Sequence, residues 1–232
     1  GMLRLGLPSN ELEEIKQNPK IIEGLNIKYV MSHLASADDS NNPQNIKQLE
    51  LFKKARNILP MGLASLAASS GIFLDQSFHF DIARPGVAIF GVNPIPNQPN
   101  PMRAVVSLKA RILQIRNAKK SETVGYGGSH KIIKNSRIAT VGVGYADGFL
   151  RSLSNNTSGF IGDIRVPVVG RVSMDLLSFD ITDAPKNLSE CGQWIELIGP
   201  NQTIDQLAID AGTIGHEILT SLGKRYFRHY EY

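Results

Sequence analysis

A proline-rich segment near the middle of the chain, Asn93 to Pro101, limits most strongly what the sequence can fold into. Four of its nine residues are proline, which lacks the backbone N–H that helices and central strands require. The segment therefore predicts a linker between two parts of the 232-residue chain. We expect an N-terminal domain over residues 1–92, a linker over 93–103 and a C-terminal domain over 104–232.

The part before the linker alternates helical and extended patterns. Helical spacing of apolar residues predicts helices over 11–22 and from Asn42-Pro43 to Pro60. Strands that alternate with helices predict an α/β domain with a parallel sheet and right-handed crossovers. In a β/α barrel, sites form where such strands end. The predicted extended segments are 27–32, which is interpreted as buried on both faces, 62–67 and 87–90.

The part after the linker has a different character. Segments rich in Val, Ile and Leu, separated by Gly, Asn and Asp turns, are typical of strands. Two short helices, over 203–211 and 216–222, are each followed by glycine. The second part is therefore predicted to be a mostly β domain, and its strand segments are 105–115, 137–143, 164–169, 176–181 and 194–198.

Composition and charge exclude several classes of protein. Hydrophobic residues make up 42% and charged residues 20%, which is ordinary for a soluble globular chain. The net charge is +4, but no basic run exceeds two residues, so a nucleic-acid partner is not predicted. No apolar run reaches the length of a membrane span. The single Cys191 excludes an internal disulfide and is typical of the cytoplasm. With five scattered histidines it provides no zinc-ligand spacing, so no metal site is predicted.

Arg84 precedes Pro85-Gly86 and an apolar run, and it allows two interpretations. It could be a surface residue that pairs with Asp81. Alternatively, an arginine fixed beside a proline is a rigid fork suited to a ring nitrogen or a carboxylate.

Tyr126 and Tyr145 lie in glycine-rich segments, Gly125 to Gly128 and Gly142 to Gly148. Both segments have a β context, so a dinucleotide-binding turn is not predicted. The tyrosines could pack on sheet faces. Alternatively they are phenols exposed at a pocket, where a cation could favour base chemistry. Met174, taken alone, would be interpreted as a core residue.

In combination, these short motifs closely resemble the alanine racemase family. They occur in the same order over almost the whole chain, although none would suffice alone. The motifs are His33 to Asp38, Ala67 to Gly71, Arg84 to Gly86, Val124 to Gly127, Gly144 to Gly148, Gly170 to Asp175, Gly212 to Ile218 and Lys224 to Tyr226. Members of this family are homodimeric pyridoxal-phosphate (PLP) enzymes. The resemblance implies a partial TIM-like (β/α)8 barrel followed by a C-terminal β domain, and interconversion of L- and D-alanine for peptidoglycan synthesis.

The resemblance also implies a cofactor site. The family's arginine at Arg84 hydrogen-bonds the pyridine nitrogen, its histidine at His33 lies near the ring, and its serine at Ser69 binds the phosphate. Ala68 replaces the usual asparagine, and His216 stands where the family usually has a phosphate-binding tyrosine. The residues implied for PLP binding are His33, Ser69, Arg84, Gly86, Val87 and His216.

Racemisation needs two bases, one on each face of the α-carbon. In the family, one is the lysine that carries PLP and the other is a tyrosine of the partner's β domain, which matches Tyr126. Arg4 matches the arginine that orients this phenol and the substrate carboxylate. Met174 matches the residue whose amide meets that carboxylate, and Tyr145 matches the tyrosine at the substrate entrance.

One departure from the family is decisive for the interpretation. The family's lysine segment is absent, so the chain matches only the later part of the family. We therefore expect an N-terminally truncated alanine racemase whose partners are alanine and either a second copy or the missing N-terminal half. The alternative is an inactive PLP-binding or dimerising fragment. A related decarboxylase for basic amino acids is disfavoured. Such an enzyme would need an acidic residue at the ring nitrogen, where this chain has Arg84, and an active cysteine in the β domain, whereas Cys191 has a structural setting.

Overall fold

The computed structural model describes residues 1–60 and 62–231. Contacts divide the chain into two compact units, Gly1–Arg103 and Ala104–Tyr232, which we call unit 1 and unit 2. In the described part of the chain, no helix combines the length and apolar character that crossing a bilayer requires.

Unit 1 is built on one βαβ arrangement. The side chain of Asn42 accepts a hydrogen bond from the Gln44 N–H (3.0 Å) and Pro43 occupies the first turn, so helix α2 begins there. In order, the elements are α1 (Ser9–Gln17), a 3-10 turn (Pro19–Ile22), β1 (Tyr29–Met31), α2 (Pro43–Ile58), β2 (Leu63–Ser65), α3 (Ser69–Ile72) and 3-10 turns at Gln76–Phe78 and Val87–Phe90.

Strands β1 and β2 are parallel, with Val30 opposite Ala64. These two residues are buried in a cluster with Leu49 and Phe52 of α2. The opposite face carries apolar side chains that remain exposed, because side chains alternate along a strand and the helix covers one face only. The prediction that β1 is buried on both faces is therefore wrong, and the exposed residues are Tyr29, Met31 and Leu63.

Two further predictions for unit 1 are corrected. Residues 87–90 form a 3-10 turn, not a strand, and this turn ends at Gly91 in the left-handed conformation. An apolar run of four residues does not distinguish the two by periodicity. The predicted helix over 11–22 stops at Gln17, since Pro19 supplies no N–H to continue it, and a 3-10 turn follows.

Unit 2 is organised around a six-stranded antiparallel sheet of order β8-β7-β10-β3-β6-β9. The long β3 lies between β10 and β6, and β4 pairs with β5 separately. Strand β7 was missed by the sequence patterns. The elements are β3 (Leu108–Ala118), β4 (Thr123–Val124), β5 (His130–Lys131), β6 (Ser136–Val141), β7 (Ser158–Ile161), β8 (Ile164–Pro167), β9 (Leu177–Asp180), β10 (Trp194–Ile198), α4 (Ile204–Ala211) and α5 (Gly215–Ser221). Short 3-10 turns occur at Tyr126–Gly128, Tyr145–Asp147, Arg151–Leu153 and Lys186–Leu188.

The core of unit 2 follows from alternation along these strands. Phe179, Ile195 and Leu197 are fully buried, whereas Trp194 at the start of β10 remains half exposed. The predicted fold class, an α/β part with parallel strands followed by a mostly β domain, is confirmed.

Candidate functional site

Arg84 is the centre of the first group of predicted site residues. Its Nη2 donates to the carbonyl of Ser32 (2.7 Å), just beyond β1, and its Nη1 donates to the Ser65 hydroxyl at the end of β2 (2.5 Å). Ser65 in turn donates to the Ile82 carbonyl (2.6 Å). These bonds fix the guanidinium across the carboxyl ends of both strands.

The alternative in which Arg84 pairs with Asp81 is wrong. The Asp81 carboxylate accepts a hydrogen bond from the Ala64 N–H (2.7 Å) instead. Within the described residues, Arg84 forms no ion pair, and its Nε–H meets no acceptor. Burial lowers the pKa of Arg84. A half-buried guanidinium without a carboxylate partner favours an electron-rich ligand.

His33 lies beside this guanidinium, with its Nδ1 3.4 Å from Arg84 Nη2. Because Arg84 can only donate, we assign Nδ1 as the acceptor and place the ring proton on Nε2. Burial, then the charge of Arg84, then that of Arg4 lower the pKa of His33. The imidazole is therefore held neutral in a positive field.

Ser69 lies at the start of α3 and joins the segment after Arg84. Its Oγ accepts hydrogen bonds from the backbone N–H groups of Gly86 (2.9 Å) and Ala88 (3.2 Å). The predicted donor Gly86 is thus engaged with Ser69. The Ser69 hydroxyl proton and the Val87 N–H have no acceptor among residues 1–60 and 62–231, so both could serve a phosphate.

In unit 2, Tyr126 projects from a turn rather than from a sheet. Its side chain is 71% exposed, so the interpretation of a tyrosine packed on a sheet face is wrong. The preceding Gly125 has φ +78°, and a Cβ there would lie 2.9 Å from the Arg171 nitrogen and 3.1 Å from the Gly170 Cα. Gly170 has φ +85°, and a Cβ there would lie 3.0 Å from the Val124 carbonyl oxygen and 3.2 Å from the Gly125 Cα. The two glycines let the Tyr126 turn contact the loop at 170–175.

The same loop contacts Tyr145 at its other end. The Tyr145 N–H donates to the Ser173 carbonyl (3.0 Å), and the Ala146 N–H donates to the Met174 carbonyl (2.9 Å). A Cβ on Gly144 would lie 2.3 Å from both carbonyl oxygens, so this approach requires glycine. The structure therefore brings Tyr126, Tyr145 and Met174 together along one loop.

Met174 is half exposed rather than a core residue. Its backbone N–H donates to no acceptor in the part of the chain that the structure describes. A free amide on an exposed loop, which contacts the turns that carry Tyr126 and Tyr145, could bind a small carboxylate.

His216 and Arg4 are less constrained. His216 is exposed in the first turn of α5, and its ring forms no hydrogen bond with a described residue. Arg4 lies in the exposed N-terminal segment and acts on His33 through its charge.

Ser65, the buried hydroxyl that holds Arg84, is not among the residues predicted from the sequence. A polar residue inside the apolar run of β2 was the available signal. Arg225 was likewise assigned no role, although it lies in one of the motifs shared with the family.

Two family models match this chain. The family model described as "Alanine racemase, N-terminal domain" matches residues 1–94, and "Alanine racemase, C-terminal domain" matches residues 105–230. The chain is 47% identical over 231 residues to an alanine racemase of Rickettsia bellii and 49% identical over 230 residues to one of Rhodospirillum rubrum. Each match covers 99% of this chain, but 56% and 62% of the relative.

Solved structures give the same result. A crystal structure of alanine racemase from Bartonella henselae with covalently bound pyridoxal phosphate has a TM-score of 0.93 and 44% identity, over 100% of this chain and 64% of that one. The biosynthetic enzyme from Pseudomonas aeruginosa has a TM-score of 0.90 and 32% identity, over 100% and 65%.

The curated relatives are longer proteins, since the chain spans 56–63% of their length. The two family models nevertheless account for nearly all of its residues, in the order of the two units. The chain belongs to the alanine racemase family.

Proposed function

We propose that this chain is the larger part of an alanine racemase that uses PLP to interconvert L- and D-alanine. Residues 1–92 would be the later part of the PLP-binding barrel, 93–103 a linker and 104–232 the β domain. The observation that carries the proposal is Arg84, a half-buried guanidinium that is fixed by Ser32 and Ser65 and faces no acid among the described residues.

The residues of unit 1 fit PLP. The free Nε–H of Arg84 can donate to the pyridine nitrogen, and a guanidinium cannot give up its proton to it. Arg84 would therefore keep that nitrogen unprotonated, and neutral His33 lies beside the guanidinium. The Ser69 hydroxyl, which the Gly86 N–H holds in place, and the Val87 N–H would hold the phosphate, together with His216 from unit 2. When bound, PLP withdraws electrons from the α-carbon, so that its proton becomes acidic.

The exposed groups of unit 2 fit the substrate. Tyr126 Oη would take the α-proton of one alanine enantiomer and, in the reverse reaction, return a proton to the same face, since its phenol is free of the sheet. The free N–H of Met174 would bind the carboxylate of alanine, and Tyr145 would border its entrance. A phenol that acts as a base near neutrality needs a nearby cation, a role that we assign to Arg4.

We also propose that the protein acts as a homodimer in the cytoplasm and supplies D-alanine for peptidoglycan. The exposed Cys191 is compatible with a reducing compartment. The bare apolar face of β1 and β2 supports a further set of barrel strands packed there.

A second candidate is a chain that binds PLP or dimerises without turnover. The absence of a family-like lysine segment from these 232 residues favours it for this chain when it acts alone.

Both candidates are tested by comparing the 232-residue chain with a chimera. The chimera carries, ahead of residue 1, the N-terminal segment of the Rickettsia bellii relative that precedes the matched region. We expect the chain alone to bind PLP without the visible absorption band of lysine-linked PLP, and borohydride to fix none. The chimera should gain this band and racemise alanine.

The matched control is the chimera with Arg84→Gln, which should lose affinity for PLP. A chimera that folds but neither binds PLP nor racemises alanine would contradict the proposal. So would borohydride labelling of a lysine within residues 1–232.

A further inference from the structure

We propose that Arg225 is a positioning residue that fixes Met174 and Tyr145 in the geometry needed to bind the substrate. The inference rests on the proposed function and assigns a role to a residue outside the predicted site. Arg225 lies in the segment after α5, and its guanidinium bridges two carboxylates on two different turns.

The first carboxylate belongs to Asp147, at the end of the Tyr145 turn. Arg225 Nε lies 3.2 Å from Asp147 Oδ1, while Asp147 Oδ2 accepts a hydrogen bond from the Gly144 N–H (2.9 Å). The Asp147 side chain is only 7% exposed, so loss of its cation would leave a buried charge unpaired. Asp147 therefore depends on Arg225 to keep the turn closed.

The second carboxylate belongs to Asp175, which directly follows Met174. Arg225 Nη1 donates to Asp175 Oδ1 at 2.7 Å. The bonds to Asp175 and Asp147 also raise the pKa of Arg225. One side chain thus links the residue after Met174 to the turn that carries Tyr145.

The backbone brings Arg225 to this position. The Gly223 N–H donates to the Asp147 carbonyl (2.9 Å). A Cβ on Gly148, which has φ +94°, would lie 1.9 Å from the Ser221 carbonyl oxygen. The C-terminal segment therefore lies directly against the Tyr145 turn. This contact places Arg225 within reach of both Asp147 and Asp175.

Within the described residues, the hydrogen bond and ion pairs of Arg225 go to Asp147 and Asp175, not to the free Met174 N–H or the Tyr145 phenol, so its effect is indirect. The bonds from the Tyr145 and Ala146 N–H groups to the 173–174 carbonyls hold the two turns against each other. The ion pairs of Arg225 with Asp147 and Asp175 form a second connection between the same two turns. We infer that its loss loosens the loop at 173–175 and weakens binding of the substrate carboxylate more than it slows proton transfer.

The test uses Arg225→Gln in the racemase chimera, with Arg228→Gln as the matched control. Arg228 lies on the same exposed segment, and among residues 1–60 and 62–231 its one acceptor is the Gly223 carbonyl (3.3 Å). For Arg225→Gln we expect KM for both alanine enantiomers to rise at least about tenfold while kcat changes less than about threefold. PLP affinity should be unchanged. Arg225→Lys should recover part of the KM, because an ammonium can pair with one acid but not form the fork.

A second measurement does not depend on activity. Hydrogen exchange of the Tyr145 and Ala146 amides in the 232-residue chain should accelerate about tenfold in Arg225→Gln, with β10 unchanged. If KM and exchange match those of Arg228→Gln in an active chimera, the inference is wrong. Equal losses in PLP affinity, KM and kcat, with faster exchange throughout unit 2, would show a merely structural role. A chimera that is inactive before any substitution would instead overturn the proposed function, and with it the substrate role of Arg225.

Discussion

The two units differ in how completely each buries its own sheet. Of the twelve largest side chains that are less than 2% exposed in the described part of the chain, eleven lie in unit 2 and only Leu66 lies in unit 1. Unit 2 has a six-stranded sheet and a separate two-stranded pair, whereas unit 1 has two strands, with apolar side chains exposed on one face. Since burial of apolar surface is the main driving force of folding, unit 2 holds most of the stability.

The chemistry is divided in the same way. Unit 1 contributes cations and free donors around Arg84, which suit the cofactor. Unit 2 contributes Tyr126, Tyr145 and the free Met174 amide, which suit the substrate. The candidate site residues of unit 1 are attached to a sheet that is covered on one face only. Those of unit 2 are attached to a sheet with a buried core.

The largest expected effect is on folding of the separate units. Residues 104–232 alone should unfold in one cooperative transition, with a free energy of unfolding of about 5–15 kcal/mol. Residues 1–103 alone should lose order or self-associate, because the bare face and edges of β1 and β2 remain uncovered. Denaturant unfolding, hydrogen exchange and sedimentation measure this. A stable monomer of residues 1–103 with full amide protection would contradict the proposed difference in stability between the two units.

The next effect concerns catalysis from unit 2. In the racemase chimera, Tyr126→Phe should reduce racemisation about 10²–10⁴-fold, the usual range for loss of a general base. PLP binding should persist, because Tyr126 is not among the groups that would hold PLP. Deuterium exchange from solvent should be lost for one alanine enantiomer and partly retained for the other.

The control for this substitution is Tyr230→Phe, which removes another exposed phenol. Equal loss of exchange for both enantiomers, or no loss for either, would exclude Tyr126 as the base on one face.

A smaller effect comes from a matched pair of helix caps. Asn42 caps α2 in unit 1 through Gln44, and Thr203 caps α4 in unit 2 through Gln206 (3.1 Å). Each substitution by alanine should lower the stability of its own unit by about 1 kcal/mol. Hydrogen exchange resolved by residue separates the two units. A loss of protection in both units from either substitution would show that they unfold as one.

The smallest effect is on the titration of His33. Its pKa should lie below the ordinary 6.5, and Arg84→Gln should raise it, because one of the nearby positive charges is removed. Burial of the imidazole remains in this variant, so the pKa of His33 should stay below its ordinary value. Arg84→Lys keeps the positive charge and should raise the pKa of His33 less than Arg84→Gln does. NMR titration of the imidazole measures this, with Arg228→Gln as control, and an unchanged pKa in Arg84→Gln would contradict the assigned contact.

The sequence predicts unit 2 better than unit 1 for a physical reason. Alternating Val, Ile and Leu residues match paired strands such as β10, whereas β7 was missed because it is short and contains Gly159. In unit 1, the run at 87–90 has too few residues for periodicity to separate a strand from a turn.

The candidate site shows the same limit. Short motifs located Arg84, Tyr126 and Met174. They did not reveal the bonds that position them, because Arg84 and Ser65 are 19 residues apart and Arg225 and Asp175 are 50 apart. Contacts across such separations depend on the whole fold and leave no local pattern.

The interlocked glycines at 125 and 170 have a consequence for evolution. Each has a positive φ and the backbone of the other's segment within about 3 Å of where its own Cβ would lie, so a side chain at either position is excluded by strain and by space at once. No replacement at one glycine can be offset by a replacement at the other. Paired substitutions, the signal from which contacts are inferred in alignments, should therefore never arise there. The contact that joins Tyr126 to the loop of Met174 would be invisible to co-evolution methods because it allows no variation.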